Sequence, residues 1–171
     1  MPTIVPFEER HGPAVLALIE SIFAEYGMTF DPAGYDADLT RIHAKYRDAG
    51  GAFWVLEEDG HVVGTVAVVP LSPTEVEIKR VYVDASLRGR GWGKTLMEHA
   101  LAWARAHGHR HVRLWSDVKF TRAHVMYERL GFGRTGIRDC EDIDASREHG
   151  YEMPLPGTAT ARGGDATPGA A

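Results

Sequence analysis

Between Gly12 and Tyr26, the residues Val15, Leu16, Leu18, Ile19, Ile22 and Phe23 fall on one stripe at three- and four-residue spacing, which predicts an amphipathic helix. Pro13 suits its first turn, and Gly27 its stop. Ahead of it, residues 3–6 (TIVP) suffice for a short strand. After the loop MTFDPAG, the positions of Leu39, Ile42, His43 and Tyr46 predict a second helix closed by Gly50 and Gly51. The period then changes. FWVLEE, the pair Asp59-Gly60 and HVVGTVAVV predict a β-hairpin, because Asp-Gly accepts the positive φ of a type I′ turn. Alternation continues through EVEIKRVYV, a further strand.

Beyond a Gly- and Arg-rich loop, DASLRGRGWG, a helix is predicted over GKTLMEHALAWARAHG, with Leu96, Met97, Ala100, Leu101 and Ala104 on one side. HVRLWS reads as a strand, FTRAHVMYERLG as a short helix, and FGRTGI and REHGYEMPL as two more strands. The fold class is therefore mixed α/β (α+β): one domain over residues 1–156 with helices around a central sheet. Residues 157–171 are Gly, Ala, Thr and Pro except for Arg162 and Asp165, and a disordered tail is expected there.

Composition narrows the classes. With 171 residues, 44% of them hydrophobic and 25% charged, the chain is neither collagen-like, coiled-coil nor wholly disordered. No stretch approaches the roughly 20 apolar residues of a membrane span. MPTIVPFEER lacks the pattern of a signal peptide, so a cytoplasmic protein without a membrane partner is expected. Cys140 is the single cysteine; it has no partner for a disulfide and no Cys pair exists for zinc. The net charge of −5 argues against a general nucleic-acid binder. Yet residues 77–95 carry five cations (Lys79, Arg80, Arg88, Arg90, Lys94) against Glu77 and Asp84, a net of +3. A cationic spot on an acidic chain suits a compact anionic ligand.

That spot coincides with a glycine-rich loop entering a helix. Unpaired N–H groups at a helix start attract phosphate, and Gly89, Gly91 and Gly93 let the backbone approach a ligand closely. A Walker A motif fails because Arg88 stands where its first glycine belongs; G-x-G-x-x-G fails at Lys94. R-x-x-G-x-G matches at Arg88, Gly91 and Gly93. A turn that merely joins strand to helix reads the same way at this level.

Context adds specificity. VYVDASLRGRGWGKTLMEHALAWA, followed some thirty residues later by AHVMYERLGF, resembles the GNAT superfamily of acyl-CoA-dependent N-acyltransferases, over about residues 3–153. The second signature, A-x-x-x-Y-x-x-x-G-F, is matched by Ala123, Tyr127, Gly131 and Phe132. The resemblance implies two parallel strands that splay apart to admit the pantetheine arm of acetyl-CoA. Backbone groups near Val81, Tyr82 and Val83 would pair with that arm. The amides of Arg88, Gly89, Arg90, Gly91, Trp92, Gly93, Lys94 and Thr95 would receive the pyrophosphate. Many relatives carry asparagine seven residues before the tyrosine, where this chain has Phe120.

The implied reaction transfers an acetyl group to a primary amine, of a small molecule or a protein, by direct attack within a ternary complex. It requires a neutral amine, donors for the oxyanion and a proton for the departing thiolate. The resemblance assigns the proton donor to Tyr127, whose alternative role is a core aromatic beside Phe132. Glu77 is the candidate base, its alternative being an ordinary surface carboxylate. Strand alternation puts Glu77 and Lys79 on one face with Val81 and Val83. Asp31, Asp36 and Asp38 are candidates to attract a cationic amine, or to cap helices. His107, His109 and His111 resemble metal ligands but lack the accompanying motifs; a solvated turn and no metal are expected. No G-x-S-x-G surrounds any serine, and Cys140 receives no role. A catalytically silent acyl-CoA-binding regulatory module, or transfer of another acyl group, are the alternatives. Homodimers are common in the resembling family.

Overall fold

A computed structural model describes residues 1–157. Strands β1 (Thr3–Pro6), β2 (Ala52–Glu58), β3 (His61–Pro70), β4 (Glu75–Val83), β5 (His111–Asp117), β6 (Gly133–Asp139) and β7 (Arg147–Pro154) form one sheet in the order β1-β2-β3-β4-β5-β7-β6. Every neighbouring pair is antiparallel except β4 and β5, which are parallel and joined by a helical crossover. The helices are α1 (Gly12–Glu25), α2 (Trp92–Ala106) and α3 (Thr121–Leu130). The tail expected to be disordered lies, from residue 158 on, outside the described residues.

Each sheet face has its own core. On one, α2 lays Leu96, Met97, Ala100 and Leu101 over Val66, Val68, Val76 and Ile78, with Tyr127 and Phe132 in the same cluster. On the other, α1 lays Val15, Ile19 and Phe23 over Phe53, Val55 and Ala67. Truncating a side chain as enclosed as Leu96 to alanine costs about 2–5 kcal/mol.

The helix ends follow local chemistry. Gly27 (φ +65°) closes α1, with Met28 N–H donating to the Phe23 carbonyl at 2.8 Å. Gly131 (φ +106°) closes α3, and Phe132 N–H donates to the Tyr127 carbonyl at 3.1 Å. This cap explains the Tyr-x-x-x-Gly-Phe spacing: Phe132 folds back onto the Tyr127 ring, centroids 6.1 Å apart.

Two expectations need correction. The second helix is absent as a regular element: residues Ala37–Thr40 form a 3₁₀ turn and His43–Arg47 a short π-helical turn, with Arg41 in a non-helical conformation between them. Residues two apart on an α-helix point about 200° away from each other. Asp36 and Asp38 nevertheless grip one guanidinium, that of Arg80, and a continuous helix cannot satisfy both. Strand β4 also fails to alternate throughout. Its register against β3 slips between Thr65 and Ala67, and Arg80 has φ +57°, marking a β-bulge. Val81 and Val83 consequently pack with Val76 and Ile78 on the α2 face, whereas Glu77 and Lys79 share the α1 face with Tyr82.

Candidate active site

Strands β4 and β5 are laddered over three residue pairs only: Glu75 with His111, Val76 with Val112 and Glu77 with Arg113. Beyond Glu77 the strands part, while β4 stays paired to β3 and β5 to β7. A cleft of about 1280 Å³ opens at this fork, between α1, the segment 28–38, α3 and the segment 138–148. Peptide groups of β4 from Ile78 to Val83 thus have no strand partner in β5.

The bulge is held by long-range contacts. Thr65 Oγ1 donates to the Arg80 carbonyl at 2.7 Å. The Arg80 guanidinium donates to Asp36 Oδ1 at 2.9 Å and to Asp38 at 2.6 and 3.1 Å. Tyr46 donates its hydroxyl proton to Asp38 as well. Burial acts to raise the Asp38 pKa, but Arg80 outweighs it and holds this carboxyl below its ordinary 3.8. Two of the three aspartates expected to attract an amine are therefore consumed by Arg80. Asp31 caps its own loop, accepting from Tyr35 N–H at 3.1 Å.

At one end of the cleft, Gly91 (φ +84°) is the N-cap of α2, and Gly89 (φ +74°) precedes it in the same left-handed region. Among the described residues, the N–H groups of residues 89–94 have no hydrogen-bond acceptor. Six adjacent free donors, with the positive end of a fifteen-residue helix behind them, form a nest for an anion. The run is shorter than expected by one residue at each end. Arg88 N–H is paired with the Ala85 carbonyl, and Thr95 N–H with the Gly91 carbonyl. Thr95 also turns its hydroxyl back to that carbonyl, and neither Thr95 nor Arg90 lines the cleft. The Arg88 guanidinium lies along the wall but is committed to Glu25 (2.6 and 3.1 Å) and to the Val83 carbonyl (3.0 Å). Gly91 and Gly93 are accompanied there by Trp92 and Lys94.

Tyr127 and Glu77 line the same cleft. Tyr127 is only 4% exposed, and burial, helped by Tyr82, raises its hydroxyl well above the ordinary pKa of 10. A phenol in that state keeps its proton at neutral pH, as an ordinary tyrosine does, and is a weaker acid than one. Glu77 is half-buried and forms no ion pair among the described residues. The bulge separates it from Val81 and Val83 in facing but leaves it on the cleft wall. Phe120, in place of the asparagine common among relatives, packs edge-on to Tyr26 at 4.8 Å and faces Tyr82 at 6.2 Å. An aromatic floor replaces the amide.

The sequence names Arg80 in a cationic spot and Asp36 and Asp38 as amine-attracting candidates, but gives no sign that they pair with one another. The only local signal was an arginine interrupting an alternating strand. Cys140 donates its Sγ–H to Glu148 at 2.9 Å, and burial first, then Glu148, push its thiol up to about 11. It is a poor nucleophile. The HGHRH histidines are less solvated than expected. His107 stacks on Trp103 at 3.9 Å, His109 is buried beside the same ring, and His111 pairs with Glu75 at 3.1 Å. Among the described residues no group of three or more His, Cys, Asp or Glu is placed to hold a metal ion. Among them, too, no helix is long and apolar enough to cross a membrane.

A seven-stranded sheet forked between two parallel strands, with an amide nest at the following helix, is the arrangement that the resemblance to acyl-CoA-dependent N-acyltransferases implies. The Acetyltransferase (GNAT) family model matches residues 16–132, and the chain belongs to that family. It is 35% identical over 145 residues to Uncharacterized N-acetyltransferase YjgM of Escherichia coli (strain K12), covering 77% of this chain and 86% of that one. N-acetyltransferase family 8 member 2 of Rattus norvegicus is 35% identical over 105 residues, 58% of this chain and 46% of that protein. The match thus spans less than half of that mammalian relative. An acetyltransferase of GNAT family from Staphylococcus aureus Mu50 superposes with a TM-score of 0.81 at 21% identity, covering 91% of this chain and all of that one.

Proposed function

We propose that this protein transfers an acetyl group from acetyl-CoA to a primary amine by direct attack within a ternary complex. Family membership implies the donor. The observation that carries the reading is the convergence on one cleft of the strand fork, the free amides of residues 89–94, Glu77 and Tyr127.

The residues fit such a donor. The amide nest and Lys94 match a diphosphate, and the unpaired edge of β4 around Val81, Tyr82 and Val83 matches the amides of an extended pantetheine arm. When bound, acetyl-CoA supplies an activated acyl carbonyl. Glu77 accepts the proton of the incoming ammonium, directly or through water, leaving a nucleophilic lone pair. As the N–C bond formed and the C–S bond broke, Tyr127 would give its proton to the departing sulfur, and the surplus proton on the acylated nitrogen would return to the tyrosinate, leaving the neutral amide, the free thiol and a protonated Glu77. Burial makes the phenol a weaker acid than a free tyrosine, so it is the place of Tyr127 on the cleft wall, and not its acidity, that supports this role.

The test is steady-state kinetics with acetyl-CoA and a panel of amines. Tyr127→Phe is expected to lower kcat by about a hundredfold or more while leaving the acetyl-CoA dissociation constant within about twofold. Glu77→Gln is expected to remove the acidic limb of the kcat/KM profile. The tyrosine assignment fails if the phenylalanine variant turns over at the wild-type rate.

A further inference from the structure

We infer that Ser116 and His124 are positioning residues for Tyr127, an inference that rests on the transferase reading above. His124 Nε2–H donates to Ser116 Oγ, Ser116 O–H donates to the Tyr127 oxygen, and this chain supplies the donor that a tyrosinate needs.

The three side chains come together from two elements. On β5, alternation puts Ser116 in the row begun by Val112 and Leu114, so a row that packs in the α2 core ends in a hydroxyl. On α3, His124 and Tyr127 are three residues apart and share one face. All three are more than nine-tenths buried. His124 Nε2 and Ser116 Oγ are 3.2 Å apart. Ser116 lies beyond the three laddered pairs of β4 and β5 and lines the cleft together with Tyr127. His124 stands behind it, off the cleft wall. The Tyr151 ring packs against both His124 and Tyr127, with centroids 5.6 Å away in each case. Its own hydroxyl is taken by the Arg134 guanidinium at 2.9 and 3.2 Å.

These surroundings make the direction of donation matter. Burial raises the Tyr127 pKa, Tyr82 and Tyr151 add to the effect, and Ser116 acts against it. A tyrosinate left there after the sulfur has taken its proton would be a buried anion, costly without a donor. The serine hydroxyl has one proton to give. It goes to Tyr127 when His124 presents an N–H to Ser116 rather than a lone pair. Burial first, and then His149, lower the His124 pKa below its ordinary 6.5 against the opposing pull of the Asp117 carbonyl, so the neutral ring carries a single N–H. With that proton on Nε2, the phenol's own proton stays free to point into the cleft. Ser116 and His124 keep their protons throughout. The Tyr127 proton goes to the sulfur and is replaced from the acylated nitrogen, so the pair ends each turnover unchanged.

Two measurements test the chain. Heteronuclear NMR of the histidine ring nitrogens in the ligand-free protein, with His124 assigned by its loss in His124→Gln, is expected to show the Nε2–H tautomer at neutral pH. An Nδ1–H ring reverses the chain and overturns the inference. Steady-state kinetics then use acetyl-CoA with the amine that the wild-type protein turns over fastest. Ser116→Ala is expected to lower kcat by about tenfold or more, the worth of one hydrogen bond to a charged group, with the acetyl-CoA dissociation constant within about twofold. In the Tyr127→Phe background the same substitution is expected to cost less than about twofold, because the group it serves is gone. His124→Gln, which keeps an N–H donor, is expected to retain more kcat than His124→Phe, which keeps a ring without one. A packing role gives the opposite order and overturns the inference. Melting curves check that each variant is folded. Wild-type kcat in Ser116→Ala, or additive losses in the double variant, overturns the inference while leaving the transferase reading intact. No turnover of any amine by the wild-type protein overturns both.

Discussion

Gly91 and Gly93 show how two glycines in one loop answer to different constraints. Gly91 has φ +84° and open space where a Cβ would stand, so its requirement is conformational. An L-residue forced into that region is strained by about 1–2 kcal/mol, and relief of the strain would re-aim the amides of the nest. Gly93 has an ordinary φ, but a Cβ would meet Met126 Sδ at 3.1 Å. Met126 is a flexible side chain whose sulfur can swing aside. Gly91→Val is therefore expected to weaken acetyl-CoA binding by about tenfold or more, and Gly93→Ala by less than about threefold, as read by calorimetry. Inspection of the motif alone weights both glycines equally; only the backbone angle separates them. Equal losses in the two variants would deny the amide nest its conformational basis.

Strand β4 and the segment 36–47 form one unit, since Asp36 and Asp38 straddle the arginine that shapes the bulge. Removing Arg80 strands two inward carboxylates without a counter-charge. Arg80→Met is expected to destabilise the fold by about 3–5 kcal/mol, measured as a shift in the urea midpoint. The pH dependence has a defined sign. The Asp38 pKa is lower in the folded chain than its ordinary 3.8, so its stabilisation is complete above that pH and drains away as the pH falls below it. At pH 5–8 this group alone gives no slope. Most elements were legible from local pattern: the Asp59-Gly60 hairpin, the α1 and α2 stripes, the strand–loop–helix around the glycines and the Tyr127 signature all rest on neighbours close in sequence. The bulge was not. EVEIKRVYV alternates except at Arg80, and the partners that hold the bulge there are aspartates more than forty residues away. The same long-range demand dissolved the second helix, whose apolar spacing at Leu39, Ile42 and Tyr46 survives as buried contacts without helical continuity.

Across the whole molecule, strands β1 to β4 and strands β5 to β7 meet through a ladder of three residue pairs. An extended ligand lying in the fork would add peptide-type hydrogen bonds to both sides. At a hundredfold excess over its dissociation constant, any ligand confined to the folded state stabilises it by about 2.7 kcal/mol. For a chain of this length the melting temperature should rise by about 5–10 °C with acetyl-CoA. Amide exchange should slow at residues 78–83 and 114–117, where the ladder is missing, and change little in β2. A melting temperature unaffected by saturating thioester would deny binding to the folded chain, and a rise without slowed exchange at residues 78–83 and 114–117 would place the ligand elsewhere.

That short ladder has a mechanical corollary. On the proposed function, a sheet seamed by its own substrate would be stitched and unstitched once per catalytic cycle, and the weak line would run beside Glu77 and Tyr127 rather than at a surface loop. Protease nicking of the bare protein should begin along this seam and be suppressed by thioester occupancy, so resistance to digestion becomes a gauge of how fully the fork is filled.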